Sequence, residues 1–120
     1  METPPTEPDV DSIVNAALAL HGEGRLEHAA LVWREVLRRD PSRWLAWSRL
    51  GLLEKELAPA LDLFRRAAML APERGEVWID LGQALRRHGQ PAQAALAYRR
   101  AISLAPGEAR AHAELGRAER

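Results

Sequence analysis

The stretch WIDLGQALRRHGQPAQAALAYRRAISLAP, residues 78–106, sets Trp78, Leu81, Gly82, Ala94, Tyr98, Ala101 and Pro106 in a text otherwise rich in Ala, Arg and Leu. Sliding the same offsets back to Ile13 lands on Ala16, Ala17, Ala29, Trp33, Val36 and Pro41, each of compatible size. Between the two copies, Trp47, Leu50 and Gly51 match the first half, and Ala60, Phe64, Ala67 and Pro72 match the second once three residues are removed. The prolines agree: Pro41 to Pro72 spans 31 residues and Pro72 to Pro106 spans 34. A fourth copy opens at His112 with Leu115 and Gly116 in register and stops after one helix, as a cap would. Self-similarity at such a period implies stacked units rather than a globule.

The residue types give the physical reason. The Trp and aromatic positions bury large areas, and spacings of three, four and seven keep each unit's apolar residues on one helical stripe. Gly51, Gly82, Ala60 and Ala94 fall where paired helices touch, so that small size permits close approach. Gly24 and Gly89 sit just past a first helix, where a left-handed residue ends it and glycine alone adopts that conformation without steric cost. Pro91 opens a second helix, Pro41, Pro72 and Pro106 end units, and Ser42 after Pro41 is the expected cap of the next helix. Pro59 belongs to the shortened middle unit, whose missing three residues are close to one helical turn. No stretch alternates as a strand does, so the fold should be all-α. Helices are expected near residues 11–22, 27–39, 44–56, 59–70, 76–88, 92–104 and 108–119. Residues 1–9, with three prolines among acidic and small polar residues, should be a disordered tail.

The W-x-x-L-G, A-x-x-x-F/Y-x-x-A and P pattern in three in-phase copies resembles the tetratricopeptide repeat over roughly residues 10–120. The resemblance implies an α-solenoid of three helix-turn-helix repeats, at 10–43, 44–74 and 75–108, with a capping helix at 109–120. It also implies a concave groove, lined by the first helix of each unit, that holds a peptide or amphipathic helix of a partner protein. The groove positions are Val14, Asn15 and Leu18 in the first unit, with Asp11 and His21 at its ends. In the second they are Leu45, Ser48, Arg49 and Leu52, followed by Lys55; in the third, Glu76, Ile79, Asp80, Gln83 and Arg86. The last helix adds Ala113 and Arg117, with Arg110 and Glu114. Val14, Leu18, Leu45, Leu52 and Ile79 make an apolar row suited to an amphipathic guest, and Arg49, Arg86 and Arg117 are placed to grip acidic groups. Some of these positions can equally extend the core. One form of the family clamps acidic chaperone tails with Lys, Asn, Asn, Lys and Arg, at positions that hold Val14, Leu18, Arg49, Glu76 and Asp80 here. None matches and two invert the charge, which argues against a chaperone-tail adaptor. Trp44 is an extra aromatic, either a binding anchor or packing against the preceding unit.

Composition narrows the rest. Seventeen basic and 17 acidic residues balance to a formal net charge of zero, so no global field draws nucleic acid or an anionic membrane. The Arg pairs at 38–39, 65–66, 86–87 and 99–100 lie largely toward helix C-termini, where cations complement the dipole. The 120-residue chain has no cysteine, hence no disulfide or thiol nucleophile. Its apolar runs are far too short to span a bilayer, and its acidic, proline-rich start is unlike an export signal, so the expected location is cytoplasmic. A single lysine amid many Arg and Ala suggests a GC-rich bacterial genome. His21, His28, His88 and His112 show no metal-ligand spacing, HGEGR lacks a phosphate cradle, and no serine sits in a nucleophile elbow. The expectation is a non-enzymatic adaptor without metal or cofactor, or alternatively a structural subunit that self-associates through its exposed repeat end faces.

Overall fold

The computed structural model describes residues 8–119, so residues 1–7 of the expected disordered tail lie outside the described residues. Seven helices follow one another among the described residues: α1 (Val10–Gly22), α2 (Leu26–Arg39), α3 (Trp44–Leu53), α4 (Leu57–Leu70), α5 (Gly75–Arg87), α6 (Pro91–Leu104) and α7 (Ala109–Ala118). Among the described residues there is no strand. The pairs α1·α2, α3·α4 and α5·α6 pack as hairpins, and α7 closes on α6. The result is an all-α solenoid, 64 × 27 × 25 Å, in which the extensive contacts among the described residues join neighbouring units.

The core falls into three clusters, each built on one aromatic of a second helix: Trp33, Phe64 and Tyr98, all buried. Opposite them on the first helices stand Ala17, Gly51 and Gly82, also buried. A Cβ at Gly51 would lie 2.9 Å from the Phe64 ring, and one at Gly82 would lie 2.4 Å from the Tyr98 ring. Small size at these positions is therefore what lets ring and helix backbone meet.

The two full-length hairpins turn identically. Gly24 and Gly89 have φ of 76° and 74°, and the residue after each sends its N–H back five residues, Arg25 to Leu20 O and Gln90 to Leu85 O, both at 2.9 Å. The shortened unit differs from expectation. Its first helix stops at Leu53, not near 56, so the deletion removes the last turn of α3, and α4 begins at Leu57. Pro59 is then the third residue of α4, where an N–H would have no helical partner. With no left-handed glycine, Glu54 turns the chain by accepting from Lys55 N at 3.0 Å and Glu56 N at 3.4 Å. The α3 carbonyl of Leu52 is met by the Arg87 guanidinium, donated from α5 of the following unit.

Ser42 does not cap α3; that place is taken by Arg43, without a side-chain cap. Asp40 organises the turn instead, accepting from Ser42 Oγ at 2.6 Å, Ser42 N at 3.1 Å and Arg43 Nε at 2.8 Å. The Ser42 hydroxyl, then Arg43, hold its carboxyl below the usual range. The repeat Trp has a second job, since Trp47 Nε1 donates to Pro41 O at 2.8 Å and so ties one unit to the end of the last. His112, which replaces Trp in the final copy, makes the same bond from Nε2 to Pro106 O at 2.9 Å. Arg66 and Arg100, two residues past Phe64 and Tyr98, lie over the rings of Trp47 and Trp78.

Candidate concave binding face

Units stack in two ways, each second helix on the next first helix (α2 on α3, α4 on α5, α6 on α7) and first helix on first helix. α3 packs on α5 and α5 on α7, whereas α2 with α4 and α4 with α6 make no comparable contact. A row of rods held closely on one side and splayed on the other curves toward the close side. The face of α3, α5 and α7 is therefore the inner one, and α1 adjoins it where Val14 and Leu18 share a core cluster with Leu45.

On this face the structure separates the expected residues into three groups. Val14, Leu18 and Leu45 are half-buried at the edge of the first core cluster, and Asn15 is exposed beside them. Glu76, Arg86, Ala113 and Arg117 are exposed, with Gln83 and Arg49 intermediate. The third group lies inside: Leu52 belongs to the Phe64 cluster, Ile79 to the Tyr98 cluster, and Ser48 and Asp80 are fully buried. Leu52 and Ile79 have almost no surface to offer a guest, so the apolar row of the inner face contracts to its α1 and α3 portion. The physical reason is phase. A residue one position off the core stripe is turned by about 100°, and a close neighbouring helix covers it as effectively as its own partner does.

The α5–α7 portion is polar, and its centre is two buried carboxylates. Asp80 Oδ2 accepts from Ser48 Oγ at 2.8 Å and Arg49 Nε at 3.2 Å, while Arg110 Nη2 stands 3.8 Å from Oδ1. Oδ1 itself is buried and has no hydrogen bond. Glu114, 5% exposed, lies 3.4 Å from Arg86 Nη2 and 2.5 Å from Arg117 Nη1, and Tyr98 Oη reaches it at 3.5 Å. Each buried acid thus holds two guanidiniums, and in both cases at least one comes from another helix. Burial, then the Glu114 charge, pushes the Tyr98 hydroxyl up to about 12, so it stays protonated as a donor. Glu76 lies 3.9 Å from Arg49, at the outer edge of ion pairing. At the end of α1, His21 has a buried Nδ1 without a partner. Burial first, and then the Arg49 charge, lower its pKa below 6.5.

Trp44 is half-buried against the Phe64 cluster with Arg74 over its ring, a packing position rather than an open anchor. Among the described residues no group of three or more His, Cys, Asp or Glu is gathered to hold a metal, and no helix is long and apolar enough to cross a membrane. Sequence reading placed Arg110 and Glu114 on this face, but not the pairing of Glu114 with Arg86 or of Asp80 with Arg49 and Ser48. Those partners lie about 30 residues apart in the chain, as Ser48 and Asp80 do at 32, so no local spacing announces them.

Comparison with known proteins gives three further findings. Residues 75–118 match a family model described as tetratricopeptide repeat. Curated protein sequences yield no match. Among solved structures, an O-GlcNAc transferase of Thermobaculum terrenum is 27% identical with a TM-score of 0.73; the match covers 94% of this chain and 23% of that one. The second TPR domain of human RPAP3, in complex with an HSP70 peptide, is 18% identical with a TM-score of 0.76, covering 92% and 95% of the two chains. The Arabidopsis OM64 TPR domain is 15% identical with a TM-score of 0.76, covering 91% and 93%.

Proposed function

We propose that this chain, a tetratricopeptide-repeat protein, is an adaptor that holds a segment of another protein against its inner face and carries out no chemistry of its own. The carrying observation is the arginine set around Asp80 and Glu114. Arg49, Arg86, Arg110 and Arg117 are held by two acids, so guanidinium donors remain for a guest's carboxylates or backbone carbonyls. Val14, Leu18 and Leu45 offer a half-buried apolar strip to the same guest, with Asn15, Glu76, Gln83 and Ala113 between and around them. The likeness to RPAP3 domains with HSP70 and HSP90 peptides supports a protein partner. It does not extend to that partner's identity: Glu76 and Asp80 set negative charge where a chaperone-tail clamp has Lys and Arg. The transferase match covers 23% of that enzyme, and this chain assembles no catalytic constellation among its described residues.

The test is capture of the partner from the source cell, followed by titration of the purified partner against two variants. Arg86→Glu with Arg117→Glu should weaken binding by at least about tenfold, equivalent to about 1.4 kcal/mol. Leu96→Glu, at an exposed position of α6 on the other row of helices, should leave it unchanged. Equal affinity for the doubly reversed variant and the wild type would refute the inner-face reading.

A further inference from the structure

The early end of α3 borders an opening in the middle of the solenoid. α1 and α5 each run 13 residues, α3 only 10, and the absent turn uncovers a cleft of about 810 Å³ between α2, the end of α3 and α4. Its floor is apolar: Leu26 and Ala30 from α2, Leu50 and Leu53 from α3, and Leu63 from α4. At its lip stands Leu31, 62% exposed. A leucine this open beside a leucine-lined cleft is a knob next to a hole.

The charges along the same stripe of α2 identify what does fill it. Ala30, Leu31 and Arg34 lie three, four and seven residues after Glu27, the offsets that align side chains on one helical face. Glu27 and Arg34 are therefore about 10 Å apart along the axis, too far to pair with each other. Among the described residues neither has an ion pair or side-chain hydrogen bond. The other acids nearby are engaged. Glu35 is taken by Arg38 and Arg39, and Glu54 by the backbone of its own turn. Arg87 is engaged at Leu52 O. An acid–apolar–base stripe is complemented by the same stripe running in the opposite direction, with Lys55 at the rim of the cleft adding a second cation. A two-fold axis passing between residues 30 and 31 sets Glu27 against the second copy's Arg34 twice over, and lowers each Leu31 onto the other's cleft. That is the self-complementarity of an isologous interface.

We infer that the chain forms a two-fold dimer through antiparallel α2 helices, Leu31 of each copy entering the cleft that the shortened α3 leaves in the other. The surface lies on the second-helix row, apart from the inner face, so dimer formation and partner capture are independent. Sedimentation equilibrium tests it. The wild-type mass should rise with concentration from 13.4 kDa toward twice that value. Leu31→Glu should stay at the single-chain mass over the same range, with unchanged helical circular dichroism, since the residue is exposed. Glu27→Arg and Arg34→Glu should each associate less than wild type when alone. Mixed together they should form a heterodimer, and the double exchange in one chain should restore homodimers. A wild-type chain that is monomeric throughout, a dimer indifferent to Leu31→Glu, or two reversals that fail to complement each other would overturn the inference.

Discussion

The middle and third repeats solve the same joining problem by different means. Both set a glycine of the first helix against an aromatic ring of the second, Gly51 on Phe64 and Gly82 on Tyr98, yet the third is tighter, 2.4 against 2.9 Å to an added Cβ. Both must also finish the first helix. The third does so within itself, through the left-handed Gly89, whereas the middle repeat depends on Arg87 from its successor. Full length thus gives self-sufficiency, and the loss of one turn transfers part of a repeat's stability to its neighbour.

The sharpest way to break the comparison is at the glycines. Gly82→Ala should cost about 3 kcal/mol, because Tyr98 is fully buried and its ring has nowhere to retreat, and should lower the melting temperature by roughly 10 °C. Gly51→Ala should cost about 1–2 kcal/mol, the better helix propensity of Ala offsetting part of a milder clash. Equal losses in thermal denaturation would mean that ring proximity does not set the cost.

A smaller effect separates the two ways of ending a helix. Arg87→Met keeps an apolar stem but removes the donor, and should cost about 1–2 kcal/mol for the carbonyl left without it. Gly89→Ala forces a side chain into the left-handed region, at about 1–2 kcal/mol. Hydrogen exchange distinguishes them. Arg87→Met should lower amide protection at the end of α3, a helix in the preceding unit, and Gly89→Ala at the end of α5. If Arg87→Met leaves α3 protection intact, the cross-repeat cap is not functional.

The smallest effect concerns the first repeat. His21 has a lowered pKa in the folded chain, so below 6.5 the unfolded chain binds the proton more readily. Its contribution is therefore present in full above pH 6.5 and lost as pH falls below that value. Urea titrations at pH 7.5 and 5.5 should show a drop in midpoint that His21→Gln reduces. Glu35, brought to about 2 by Arg38 and then Arg39, acts in a separate window: its contribution is present above its ordinary value of 4.5 and lost as pH falls toward 2.

Much of this architecture is readable in the chain because it depends on size and backbone conformation, which individual residues declare. Gly24 and Gly89 have the positive φ that their places demanded, Pro91 opens α6, and Trp33, Phe64 and Tyr98 each centre a core cluster. The end of α3 was misplaced because a three-residue deletion fixes how much is missing, and local sequence does not say whether helix or turn gives way. The inner face was less legible still. Leu52 and Ile79 occupy surface-like phases of their own helices and are covered by another unit. Asp80 and Glu114 look like solvated charges until Arg49 and Arg86 arrive from distant parts of the chain. Helical periodicity describes one rod at a time, whereas burial here is decided between rods.

Arg87 reaching back to Leu52 also bears on how such a protein can be cut, copied or rearranged. Ideal repeats are interchangeable bricks, and an array of them can be shortened or reordered at any joint. This one has a directional joint. The middle brick removed from its successor keeps an open carbonyl at the end of its first helix, while the third ends α5 with its own Gly89. Assembly that starts at the C-terminal side can complete every helix as it proceeds, and assembly from the other side must wait for α5.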